Sequence, residues 1–289
     1  MSVYCGFRSA AAGEERKIPM VISVFLSHLY SIAEQKGCTA AEAMREARAC
    51  GITRVEADFA QADGREEELN ALLKQNGLQV GGMYGFFDFT HCDEEERAAR
   101  FVRCAGRMGA ACVMPLPGTF LPGEDRAAAR ERMACGLEAL CALAADAGIR
   151  TVLEEVGMPD KAPGRTAELM WFLRRIPELG CTFDTGNFYY HDEDVLAAYD
   201  ALRSRVAHVH LKDHLLRPLL GEAGAVSDAG RVFYPAPIGA GVLPLAEIMT
   251  RLIGDGYRGI FAIEHFGAKD QALFMRRSAE WIRRFEKNE

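Results

Sequence analysis

Four stretches decide the fold: TVLEE (residues 151–155), CTFDT (181–185), AHVHLKDH (207–214) and GIFAIEH (259–265). Each is an apolar run of strand length that meets a metal-type side chain near its C-terminal end: Glu154, Asp184, His210 and Glu264. Short apolar runs bounded by turn signals read as strands buried on both faces. Moving toward the N-terminus, four more runs have the same character: Met20–Phe25, Thr53–Ala57, Gln79–Met83 and Ala111–Pro115. That makes eight strands, nearly all followed by a helical pattern. The clearest helices are expected at Ala40–Cys50, Arg65–Gln75, Asp93–Met108, Asp125–Ala147, Thr166–Ile176 and Lys269–Glu286.

The punctuation between elements repeats. Thr39 and Glu42 have capping-box spacing ahead of the first clear helix. A glycine stands before six of the strands, at Gly51, Gly77, Gly109, Gly148, Gly180 and Gly256, where it can take the left-handed conformation that closes a helix. Eight helix-to-strand units favour a parallel sheet closed as a (β/α)8 TIM barrel. A doubly wound open sheet would carry a Gly-rich phosphate loop after its first strand, and the chain has none. Residues 19–289 are therefore assigned to one barrel domain and residues 1–18 to an N-terminal extension. Residues 213–243 break the rhythm. This stretch is long, rich in Gly and Pro, and would rise above the barrel mouth.

Composition narrows the function classes. The formal net charge is −7 over 289 residues, and no Lys/Arg cluster marks a nucleic-acid surface. The pairs Arg174–Arg175, Arg276–Arg277 and Arg283–Arg284 fall within helical patterns and read as solvated faces. Nine cysteines, an odd number without C-x-x-C spacing, are expected to be free thiols, with Cys104, Cys112, Cys141 and Cys181 buried. The extension lacks the apolar core of a signal peptide, and no stretch has the length of a membrane span. The expectation is a cytoplasmic protein with no membrane or nucleic-acid partner.

In a barrel, the C-terminal strand ends gather on one face, and neighbouring strands lie about 5 Å apart. Glu154, Asp184, His210 and Glu264 can therefore converge on one ion. Three carboxylates and an imidazole suit Mn2+, Mg2+ or Co2+, with Zn2+ also in range. Period-two alternation puts Val206, His208, His210 and Lys212 on one face, so His208 lies deeper than His210 and Lys212 sits at the mouth. Secondary candidates for substrate contact are Glu56, Tyr84, Asn187, His208, Lys212 and Arg217. Glu56 has an alternative partner in Arg54. Arg217 and Arg231 are loop cations that could hold a phosphate if the substrate carries one, His214 and His265 read as supporting groups, and Phe87 joins Tyr84 as a wall residue.

The stretches VLEEVG, FDTGN, HVHLKD, PIGAG and GYRGIFAIEH, in that order over residues 150–266, resemble the sugar phosphate isomerase/epimerase family of xylose-isomerase-like barrels. VEAD at 55–58 resembles that family's second-strand Glu. The resemblance implies a metal bound by Glu154, Asp184, His210 and Glu264. It also implies that Glu154 and Glu264 act as the acid/base pair of a ketose isomerase or epimerase working through an enediolate, and that the chain assembles as a dimer or tetramer. Three departures bear on the substrate. Asn187 stands where relatives often have His, Ala240 replaces an acid in the Gly-rich loop, and Tyr84 and Phe86 occupy a third-strand mouth that often carries His. An inosose-dehydratase-like lyase would use the same metal and base. An abasic-site endonuclease would need an Asp-x-His motif where FYPAPIGAG stands, and a non-catalytic sugar-binding barrel would bind without turnover.

Overall fold

The computed structural model describes residues 20–158 and 160–286, so the expected extension at 1–18 lies outside the described residues. Eight parallel strands close into a barrel: β1 (Val21–Phe25), β2 (Arg54–Asp58), β3 (Gln79–Phe86), β4 (Cys112–Leu116), β5 (Arg150–Glu154), β6 (Gly180–Asp184), β7 (Val206–Leu211) and β8 (Ile260–Ile263). Spatial order follows chain order, with β1 pairing both β2 and β8. All eight strands fall within the expected runs, apart from one-residue extensions and β3. That strand continues past Met83 to Phe86, which the turn-like Gly85 concealed. The helices surround the barrel, and one apolar core links their inner faces to the strands.

Local chemistry explains the element ends. Thr39 accepts from the Glu42 amide while the Glu42 side chain accepts from the Thr39 amide, completing the capping box. Asp125 caps the long helix Arg126–Asp146 by accepting from the amides of Ala127 and Ala128. Gly109 and Gly148 turn with φ of 69° and 70°, as their helix-closing role requires. Gly180 is different: it is the first residue of β6 and has no left-handed φ. Space is the constraint there, since a Cβ would lie 2.9 Å from that of Ala207 on β7.

Residues 213–243 are not a bare loop. Asp213–Leu215, Val232–Ala236 and Ala225–Val226 form a small antiparallel sheet beside the barrel. The Asp213 carboxylate anchors its return by accepting from the amides of Gly239, Gly241 and Leu243. Gly241 is required there, because a Cβ would fall 2.2 Å from Asp213 Oδ1. The three Arg pairs are exposed as expected, and Cys104, Cys112, Cys141 and Cys181 are buried free thiols. No described helix is long and apolar enough to cross a membrane.

Candidate active site

The last four strands build the floor of the site. Glu154 and Asp184 end β5 and β6, His210 is the penultimate residue of β7, and Glu264 follows β8 directly. Asp184 faces His210 across the β6–β7 ladder because of a bulge: Cys181 pairs with Val206 but Thr182 pairs with His208. Without the extra residue on β7, Asp184 would face Val209, whose side chain points to the opposite side of the sheet.

All four residues are buried, and one ligand-type atom from each lies within 4.8 Å of the others. His210 Nδ1 is 2.6 Å from Glu154 Oε1 and 3.3 Å from a Glu264 oxygen. Yet His210 Nδ1, Glu154 Oε1 and Asp184 Oδ2 have no geometrically sound hydrogen bond among the described residues. These atoms crowd one another without being aimed at one another. Buried carboxylates are costly unless paired or metal-bound, so three oxygen donors and one nitrogen converging in this way fit a divalent cation.

The surrounding charges show how much negative potential the floor holds. Burial opposes the proton on His210, but Glu154 and Glu264 lift it well above the ordinary imidazole range. Burial raises Asp184 to about 7. Burial acts the same way on Glu264, but Lys212 and His210 overcome it and hold that carboxyl well below its usual value. Lys212 Nζ lies 2.6 Å from Glu264, 3.2 Å from Asp184 and 2.6 Å from Asn187 Oδ1.

The turn after β6 positions these groups. Asp184 Oδ1 accepts from the amides of Gly186 (2.6 Å) and Asn187 (2.8 Å), so Oδ2 is turned toward the other ligands and Lys212. Gly186 lets Lys212 approach, since a Cβ would meet Lys212 Cγ at 2.7 Å. Asn187 uses both ends of its amide: Nδ2 donates to the Glu155 carbonyl at 2.7 Å while Oδ1 receives Lys212.

A cavity of about 440 Å³ opens above the floor. Of the expected substrate contacts, Tyr84, Asn187 and Lys212 line it, whereas Glu56, His208 and Arg217 do not. Glu56 and His208 lie beneath, paired at 3.2 Å, with Ser23 donating to the other Glu56 oxygen at 2.5 Å. Burial disfavours the His208 proton, but Cys112 and Glu56 raise its pKa to about 10. Arg54, the alternative partner of Glu56, donates instead to the Thr53 carbonyl. Arg217 is exposed on the loop, and Arg231 stacks over Tyr189 and pairs with Asp192.

Phe87 packs against Phe89 and Phe101, away from the cavity, and Phe86 takes the expected wall position. The reason is alternation: Tyr84 and Phe86 share one face of β3, and Phe87 follows the strand. His214 and His265 both line the cavity, and burial lowers each to about 4. His214 is 3.0 Å from the Gly186 carbonyl, and His265 stacks on His28. Sequence reasoning overlooked Phe25 and Tyr190 as lining residues. Phe25 carried a usable signal as the last residue of a barrel strand. Tyr190, on a short 3₁₀ turn, carried none.

The chain belongs to the xylose isomerase-like TIM-barrel family, whose profile matches residues 44–285. It is similar to Inosose dehydratase 2 of Bacillus cereus, with 31% identity over 151 residues; the match covers 50% of this chain and 48% of the relative, about half its length. Among solved structures it resembles a probable 3-DHS dehydratase from Bacillus anthracis (TM-score 0.70, 16% identity, 90% of this chain and 98% of the other). It also resembles a D-allulose 3-epimerase from Methylomonas sp. (TM-score 0.70, 17% identity, 93% and 99%). At these identities the structural likeness is one of fold.

Proposed function

We propose that the chain is a divalent-metal-dependent isomerase or epimerase acting on a ketose or sugar-like hydroxy-ketone by proton transfer beside the carbonyl. The observation that carries this reading is the buried convergence of Glu154, Asp184, His210 and Glu264, of which Glu154 and Glu264 line the cavity. These four residues would hold Mn2+, Mg2+ or Co2+. Once bound, the ion supplies Lewis-acid polarisation of the substrate's carbonyl and neighbouring hydroxyl oxygens. Glu154 and Glu264 both reach the cavity, so one carboxylate takes the proton from carbon and the other, protonated, returns one from the opposite side. Lys212 donates to Glu264 and keeps it anionic, and Asn187 holds the Lys212 ammonium in place. The upper walls of the cavity are largely apolar, with Phe25, Phe86, Met114 and Leu116 lining them.

A second reading is favoured by the likeness to Inosose dehydratase 2. In it, the same base removes the proton, and a β-hydroxyl then leaves as water after receiving a proton from the second acid. One experiment separates the two. The chain is incubated in D2O with Mn2+, Mg2+ or Co2+ and a panel of ketoses and inososes. Deuterium at the carbon beside the carbonyl, abolished by EDTA, supports isomerase or epimerase chemistry. Loss of water with a new conjugated enone absorbance supports the lyase. Neither outcome with any metal overturns both readings.

A further inference from the structure

Above its charged floor the cavity turns aromatic. The His210 ring meets Phe25 edge-on at 5.1 Å, Phe25 packs on Tyr84 and on Phe266 at 5.4 Å each, and Tyr84 meets Phe86 at 6.2 Å. Exposure climbs along this ladder, from 3% at Phe25 and 9% at Tyr84 to 47% at Phe86 and 52% at Phe266. Tyr190 and Phe233 stand together at 4.8 Å as a further pair lining the same cavity. Phe86 and Phe266 leave about half their surface in water. Apolar surface of this kind, bordering a formed cavity, marks a place where apolar ligand surface is covered.

The charge at the cavity argues against a phosphorylated ligand. Among the described residues lining it there is no arginine, and the lone lysine, Lys212, is held by Glu264, Asp184 and Asn187. Glu154, Asp213 and Glu264 line the same space. A phosphate dianion calls for guanidinium or ammonium partners with free donors, and here it would meet carboxylates. At the open end of the cavity the bordering rings, Phe86 and Phe266, offer no hydrogen-bond partner of their own to a sugar hydroxyl, whereas the polar lining groups Asn187, Lys212 and Asp213 stand at the floor.

We infer that the substrate is an unphosphorylated keto-sugar bearing an apolar substituent of aromatic size. The hydroxy-ketone sits on the floor and the substituent lies against the Phe86–Phe266 end of the ladder. This rests on the proton-transfer reading above.

The test uses the full chain loaded with Mn2+ and three compounds: a phenyl keto-hexopyranoside, its methyl counterpart, and the 6-phosphate of the methyl compound. Titration calorimetry measures affinity, and mass spectrometry in D2O measures exchange. The phenyl compound is expected to bind at least about tenfold tighter than the methyl one, and the phosphate more weakly than either. The double variant Phe86→Ala, Phe266→Ala should bring the phenyl-to-methyl ratio toward one while keeping the metal-induced rise in Tm, which reports an intact floor. Equal affinity for phenyl and methyl, preference for the phosphate, no binding of the phenyl compound, or an unchanged ratio in the double variant each overturns the inference. Exchange into the methyl compound without phenyl preference removes the substrate class and leaves the reaction standing. Phenyl preference without exchange or water loss in any compound does the reverse.

Discussion

The two halves of the barrel mouth differ in kind. At the C-terminal ends of β5–β8 stand Glu154, Asp184, His210 and Glu264, with Lys212 just above. The ends of β1, β3 and β4 present Phe25, Tyr84, Phe86, Met114 and Leu116 to the same cavity. The charged half is held by directed contacts: amides on Asp184, an ammonium on Glu264, a bulge that sets register. The apolar half is held by packing. A small-molecule site commonly combines a few placed polar groups with a larger apolar wall. Here most of each contribution comes from one half of the barrel, with Phe266, two residues after Glu264, as the main exception, so chemistry and selectivity can still be perturbed by different substitutions.

The largest expected effect lies on the charged half. Glu264→Gln should lower metal-dependent deuterium exchange by about 10²–10⁴-fold, as loss of a positioned proton-transfer group does. Retained activity would break the assignment of chemistry to that half. Next comes the layer beneath. Glu56→Gln would strip the buried His208 imidazolium of its charge partner and should cost about 3–5 kcal/mol, read by urea unfolding; a cost below about 1 kcal/mol would mean that pair does not brace the floor. Metal at one hundred times its Kd should add about 2.7 kcal/mol of stability, a Tm rise of roughly 5 °C. Asp184→Asn should lose most of that rise, whereas Phe86→Ala should keep it. The smallest effect is far from both halves. Thr39→Ala, at the capping box, should cost about 1 kcal/mol and leave exchange unchanged; a change in exchange would show that the site depends on remote helix ends.

Much of the charged half was legible because it lies on strand ends. An apolar run that stops at Glu, Asp or His announces both the strand and the face on which the side chain emerges. The same rule, applied to Phe25, would have exposed the apolar half, but an aromatic at the end of an apolar run looks like more core. Phe86 and Phe87 were indistinguishable until the length of β3 settled which of them shared a face with Tyr84. Glu56 and His208 looked like substrate ligands because nothing local reveals a partner 152 residues away.

By itself, the sequence determined the barrel, its eight strands and the four residues that meet at its floor. These follow from periodicity and strand polarity, which are local properties of the chain. Alternation along β7 already set His208 deeper than Lys212, but only tertiary structure decided that Glu56 and His208 pair beneath the cavity and which loop residues face it. Tertiary structure also decided how Asp213 ties back residues 239–243, and where the aromatic ladder runs. Those outcomes depend on register, bulges and contacts between residues far apart in the chain, and such contacts exist only once the barrel has closed.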